Sequence, residues 1–123
     1  IEVSTEASGP REMVIVDEDV YFTNRNTSDV KIFNLTTYNI DASIPVGDYP
    51  EGITTDGSTI WVANSGGTTV DEIDISSRTI TTTYEVGNGP QNLVFHNNEI
   101  YISRTFYSED WTETYHGASK IIK

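Results

Sequence analysis

Three prolines, Pro10, Pro50 and Pro90, recur at an interval of 40 residues. Each one is followed by an apolar run, a polar turn and a second apolar run. The second runs share one register, with Val-Tyr-Phe-Thr-Asn at 20–24, Ile-Trp-Val-Ala-Asn at 60–64 and Ile-Tyr-Ile-Ser-Arg at 100–104. A fixed period of this length is typical of repeat architectures, in which each repeat is one supersecondary unit. The chain is therefore expected to fold as a tandem array and not as a single irregular domain.

Each repeat divides into four short β-rich runs separated by turn residues. Asp56-Gly57 is one such turn, because glycine adopts a positive φ without steric cost. Four antiparallel strands in about 40 residues are the blade of a β-propeller. The sequence thus predicts an all-β propeller. Tyr21, Trp61 and Tyr101 occupy one register position, and we expect them to pack between blades.

The period also sets the expected domain organisation. Residues 1–8 are predicted to be the outer strand of a preceding blade, 9–48 and 49–88 complete blades, and 89–123 an incomplete blade with an inserted loop at 105–117. A closed propeller needs at least about four blades, and this chain holds only about 2.5 to 3. We interpret it as part of a larger ring, or as one chain of a ring assembled from several.

Charge and composition exclude some partners. The chain has 19 acidic and 7 basic residues, for a net charge of -12. Such a surface disfavours nucleic acid and anionic membranes. No apolar run reaches the roughly 20 residues of a transmembrane helix. Cysteine is absent, so a disulfide framework or cysteine metal site is not expected. The abundance of Thr, Ser, Asn and Asp suits an extracellular β-protein.

The repeat motif resembles a known family. Tyr21-Phe22-Thr23-Asn24 and Trp61-Val62-Ala63-Asn64 are similar to the tetrapeptide of the YVTN family of β-propeller repeats, and the segments at 45–53 and 85–93 resemble its glycine and proline linkers. The resemblance implies a seven-bladed protein of a cell surface, surface layer or periplasm that serves as a binding module or scaffold. It implies no catalytic residue set in this chain.

The third repeat departs from the pattern after Arg104. Residues 105–117 exceed the equivalent segments by about nine residues and contain four aromatic residues, three carboxylates and one histidine. In a propeller, the connection between the second and third strands lies on the same face as the entry to the innermost strand. This face, called the top face below, usually binds ligands. We therefore expect the insert to lie above the channel mouth.

The predicted ligand-binding residues combine the insert with polar residues that follow each blade-opening proline. Aromatic rings can stack on a sugar ring or an apolar ligand, and carboxylates can accept sugar hydroxyls or bind calcium. The predicted set is Arg11, Glu12, Glu51, Gln91, Asn92, Arg104, Phe106, Tyr107, Trp111, Tyr115 and His116. No cofactor is expected, although Glu109, Asp110 and Glu113 could supply oxygen ligands to calcium.

Several interpretations of the insert and of the whole chain remain open. The insert could instead be structural cover for the propeller rim, and Arg104 could anchor Glu109 or Asp110 or meet an anionic ligand group. For the chain, we favour a non-enzymatic binding module with a glycan or protein partner at the top face, or further blades of the same ring. The alternatives are a segment of a propeller enzyme of lyase or quinoprotein type, and a structural surface-layer repeat.

Overall fold

The computed structural model describes residues 2–6 and 8–122, and in these the chain is all-β with no helix. None of the described segments is a helix with the length and hydropathy that membrane crossing requires. Within these described ranges, eleven strands form three antiparallel sheets, each following chain order. Blade 1 contains β1 (Pro10–Val16), β2 (Asp19–Asn24), β3 (Asp29–Asn34) and β4 (Ile40–Pro45). Blade 2 contains β5 (Pro50–Thr55), β6 (Thr59–Asn64), β7 (Thr69–Asp74) and β8 (Thr79–Glu85). Blade 3 contains β9 (Pro90–His96), β10 (Glu99–Tyr107) and β11 (Thr114–Ile122).

These sheets are consecutive blades of a β-propeller, as the repeat predicts. Each opens at its proline, and β1, β5 and β9 lie next to one another in that order. Proline suits the first residue of a strand, because its missing N–H breaks no ladder hydrogen bond there.

Two apolar clusters hold the blades together. The first joins blade 1 to blade 2 and includes Tyr21, Ile32 and Ile60, all fully buried. In the second, Trp61 of blade 2 stacks on Phe95 of blade 3, with ring centroids 5.9 Å apart. The predicted packing role is confirmed for Tyr21 and Trp61. Tyr101 is instead 43% exposed, because it lies on the side of blade 3 away from blade 2.

Polar bonds between each third strand and the linker before its blade add to this packing. The third-strand residue that takes part occupies the same position in every blade. Lys31 pairs with Phe22, Asp71 with Val62, and Ser119 with Ile102. The bonds join Lys31 Nζ to Glu6 Oε2 (3.1 Å), the Gly47 N–H to Asp71 Oδ2 (3.0 Å), and the Ser119 hydroxyl to the Val86 carbonyl (2.7 Å).

Two segments differ from the expected organisation. Residues 2–6 form no strand, and residues 1 and 7 lie outside the described residues; the assignment of 1–8 to a preceding blade stays a prediction. The prediction of a loop at 105–117 is wrong. Pairing of β10 with β11 continues to Tyr107 and Thr114, so only 108–113 form a tip. Aromatic and β-branched residues favour strands, and a cross-strand aromatic pair, Phe106 opposite Tyr115, stabilises the extension.

Candidate functional site

The extended hairpin of β10 and β11 forms one wall of a groove on the top face. Twelve residues separate Arg104 from its partner Gly117, whereas four separate Asn24 from Asp29 in blade 1. The longer hairpin therefore projects past the neighbouring loop at 65–68, and a groove of about 610 Å³ lies between them. This volume is within the range of about 300–1,000 Å³ typical of ligand sites.

The aromatic residues of the insert form two stacked pairs. Phe106 and Tyr115 stack in parallel with centroids 5.0 Å apart, and Tyr107 and Trp111 pack at 5.1 Å with a tilt of 32°. Phe106, Tyr107 and Trp111 line the groove. Trp111 is 76% exposed and Tyr107 55%. The insert thus exposes the aromatic faces of Tyr107 and Trp111 to solvent beside the groove. These two rings do not pack down onto the propeller rim.

The hairpin tip is fixed by Asp110. One carboxylate oxygen of Asp110 accepts hydrogen bonds from the Ser108 hydroxyl (2.7 Å), the Thr112 hydroxyl (2.7 Å) and the Thr112 amide (3.1 Å). These bonds, with that from Ser108 the largest contribution, lower the pKa of Asp110 to about 2. Trp111 follows in the left-handed region at a φ of 62°. Asp110 therefore determines the backbone conformation that presents Trp111.

Glu109, Asp110 and Glu113, the predicted calcium ligands, lie together around the tip. Two of them already accept hydrogen bonds, because the Tyr115 hydroxyl donates to Glu113 at 2.6 Å and Asp110 holds the turn. Among the described residues, no group of three or more histidine or acidic side chains is arranged to hold a metal ion. The calcium site stays a prediction.

Arg104 does not anchor the tip acids; instead it takes part in packing at the base of the hairpin. Its Nε donates to the Asn88 carbonyl at 3.0 Å, and its guanidinium lies 5.6 Å from the Phe106 ring centroid. The same guanidinium fills the space beside Gly87 and Gly117, where a Cβ would clash or be tightly packed. Arg104 thus orients Phe106 and ties the hairpin to the linker before blade 3.

The predicted inner-strand residues divide into two groups. Arg11 forms an ion pair with Glu51 at 2.9 Å, and Gln91, at the equivalent position of blade 3, lines the groove. Because the Arg11 side chain is half exposed, this pair contributes only about 1 kcal/mol or less to stability. Glu12 and Asn92 are exposed. Four members of the predicted ligand-binding set line the groove, namely Gln91, Phe106, Tyr107 and Trp111, whereas Arg11, Glu12, Glu51, Asn92, Arg104, Tyr115 and His116 do not. His116 lies opposite Thr105, with 3.5 Å between Nδ1 and the hydroxyl.

The sequence interpretation missed several groove residues, and Tyr49 and Arg25 are the largest of them. The Arg25 guanidinium lies 5.1 Å from the centroid of the Tyr49 ring and 3.6 Å from Glu51. A signal for Tyr49 was present, since the other two repeats have Gly9 and Gly89 at this position. The sequence contains no comparable signal for Arg25, because only the tertiary fold brings the loop between β2 and β3 to the groove.

Comparison with protein-family models and with curated protein sequences gave no match. Solved structures with β-propeller-like folds do match. Hydrazine synthase of Kuenenia stuttgartiensis has a TM-score of 0.74 at 18% identity, over 100% of this chain and 38% of that one. Glutaminyl cyclase of Myxococcus xanthus has a TM-score of 0.69 at 14% identity, over 90% and 50%. A luciferin-regenerating enzyme also has a TM-score of 0.69 at 14% identity, over 93% and 45%. This chain therefore spans half or less of each of these structures, and the likeness establishes the propeller fold.

Proposed function

We propose that this chain is a non-enzymatic binding module whose top-face groove takes a ligand, glycan or protein partner. The observation that carries the proposal is the exposed Tyr107–Trp111 pair beside a groove of about 610 Å³. An exposed aromatic cluster on a soluble surface is a common mark of an interaction site, because burying it on binding recovers its hydrophobic free energy.

The groove is also preorganised. Its aromatic wall stands on paired strands of nine residues each, and hydrogen bonds to Asp110 fix the turn at the tip. A surface that is ordered before binding loses less conformational entropy when the ligand arrives. This supports a recognition role for the insert over a role as cover.

We further propose membership of the YVTN family of repeats and a location outside the cytoplasm. The support is the pair of tetrapeptides at 21–24 and 61–64, the linkers between blades, and a composition rich in Thr and Ser. The enzymes named above are similar to this chain in fold alone, so their activities are not carried over.

The test is a binding screen against immobilised glycans and extracellular matrix proteins. We expect wild-type protein to bind at least one probe, and the double variant Tyr107→Ala, Trp111→Ala to lose that binding, because both stacking surfaces are removed. The circular dichroism spectrum and melting temperature should stay close to those of wild type, because both side chains are exposed.

The matched control is Tyr38→Ala. Tyr38 is 46% exposed but lies in the turn between β3 and β4, which is at the other end of the blade from the groove. This variant should bind like wild type. Unchanged binding by the double variant would refute the proposed site.

A further inference from the structure

Tyr49 occupies a backbone position at which the other two repeats have glycine. The equivalent residues Gly9 and Gly89 have φ values of 71° and 66°, and Tyr49 has a φ of 49°. A residue with a Cβ costs roughly 1–2 kcal/mol in this left-handed region. Such a conformation persists only where the surrounding structure holds it, and it is found preferentially at functional sites.

The surroundings of Tyr49 are adapted to its ring. In blade 1, a Cβ at Gly9 would lie 2.6 Å from Asn26 Nδ2. In blade 2 the small and large residues are exchanged, because Gly66 stands where blade 1 has Asn26, and a Cβ at Gly66 would lie 2.6 Å from the Tyr49 ring. This exchange moves the bulky side chain from the loop to the linker.

Two hydrogen bonds to its backbone carbonyl then hold Tyr49 in place. Its carbonyl accepts from the amide of Ser65 at 3.0 Å and from the hydroxyl of Ser65 at 2.7 Å. The guanidinium of Arg25 lies over the Tyr49 ring, 5.1 Å from the ring centroid. Tyr49 nevertheless remains 51% exposed and lines the same groove as Trp111. The blade-2 linker therefore presents a second aromatic surface to the groove, which the other repeats do not have.

We propose that Tyr49 and the Tyr107–Trp111 pair are two stacking platforms for a neutral oligosaccharide of at least two sugar rings. This inference rests on the proposed binding function of the groove and names its ligand class. The C–H faces of sugar rings pack on aromatic rings, and two platforms in one groove accommodate two rings of the same chain.

Charge and polar lining favour a neutral sugar over other flat ligands. Nucleobases also stack on aromatic rings, but the phosphates of a nucleic acid are repelled by a chain with a net charge of -12. The groove further contains Gln91, Ser108 and Glu109, whose side chains can donate to or accept from hydroxyl groups. A lining that combines aromatic rings with polar side chains suits a ligand with apolar faces and hydroxylated edges.

The experiment measures affinity by isothermal titration calorimetry for neutral tetrasaccharides of glucose, mannose, galactose, xylose or N-acetylglucosamine, and for their monosaccharides. We expect at least one tetrasaccharide to bind more tightly than its monosaccharide. Tyr49→Gly and Tyr49→Ala should weaken tetrasaccharide binding about tenfold, and Tyr49→Phe, which keeps the ring, should not. Tyr49→Gly should melt no lower than wild type, because glycine relieves the backbone strain.

The outcomes separate this inference from the proposed function. Wild-type affinity of Tyr49→Gly for a tetrasaccharide that Trp111→Ala no longer binds would overturn the second platform and leave the proposed function standing. Binding of a matrix protein in the earlier screen that the double variant loses, with no affinity of the wild-type protein for any of these sugars, would overturn the sugar assignment and leave the proposed function standing. Failure of the wild-type protein to bind any probe in the earlier screen would overturn both the proposed function and this inference.

Discussion

Asp71 is the residue whose removal tests how blade 2 is joined to its linker. Its side chain is buried. Its carboxylate oxygens accept hydrogen bonds from the Gly47 backbone N–H (3.0 Å), the Asn64 side-chain amide (2.9 Å) and the Thr83 hydroxyl (2.6 Å). Asp71→Ala removes all three acceptors and leaves the two amide donors without this partner in the interior.

The expected loss follows from these contacts. A hydrogen bond to a charged group contributes about 1.5–3 kcal/mol, and a buried donor left unsatisfied costs about 1–3 kcal/mol. Asn64 keeps a bond to Thr69 at 3.0 Å, and such effects are not additive. We therefore expect Asp71→Ala to lower the free energy of unfolding by about 3–5 kcal/mol, out of a total of about 5–15 kcal/mol.

Urea denaturation followed by circular dichroism at 25 °C measures this loss. Asp71→Asn, which keeps one acceptor oxygen, should fall between wild type and Asp71→Ala. The control Asp41→Ala changes an exposed carboxylate on β4 and should stay within about 0.5 kcal/mol of wild type. A loss below about 1 kcal/mol for Asp71→Ala, with an unchanged denaturant slope, would refute the assigned role of this network.

Two further predictions concern the groove and its hairpin. Gly89→Ala should lower the melting temperature more than Gly57→Ala. Both variants place a Cβ at a positive φ, but only the Cβ at position 89 would collide with the Thr105 carbonyl oxygen, whereas that at position 57 meets open space. Equal decreases in melting temperature would contradict the role of this contact. Because the pKa of Asp110 is lowered from 3.8 to about 2, its stabilisation of the tip should be complete above pH 3.8 and lost as the pH falls through about 2. The amide proton shift of Thr112 in NMR spectra should titrate with that midpoint and lose the transition in Asp110→Asn; a midpoint near 3.8 would show that the turn does not form in solution.

Much of the fold could be predicted from local patterns. The positions of Pro10, Pro50 and Pro90, and the apolar runs after them, suffice for the order of strands, because strand propensity and turn chemistry act over a few residues. The same reasoning failed for residues 105–117. It treated polar and aromatic residues outside the period as a loop, whereas their β propensity and the pairing of Phe106 with Tyr115 continue the ladder.

The sequence by itself determined the repeat, the blade architecture, the acidic surface and the presence of an aromatic insert after Arg104. Only the tertiary structure decided which of these residues share a groove. Tyr49 and Arg25 belong to other blades, more than 50 residues from Trp111, and they meet the insert because adjacent blades pack side by side. The same packing turned Arg104 toward the linker and away from the tip acids. Such contacts depend on which faces of neighbouring sheets are buried together, and a pattern along one strand does not contain that information.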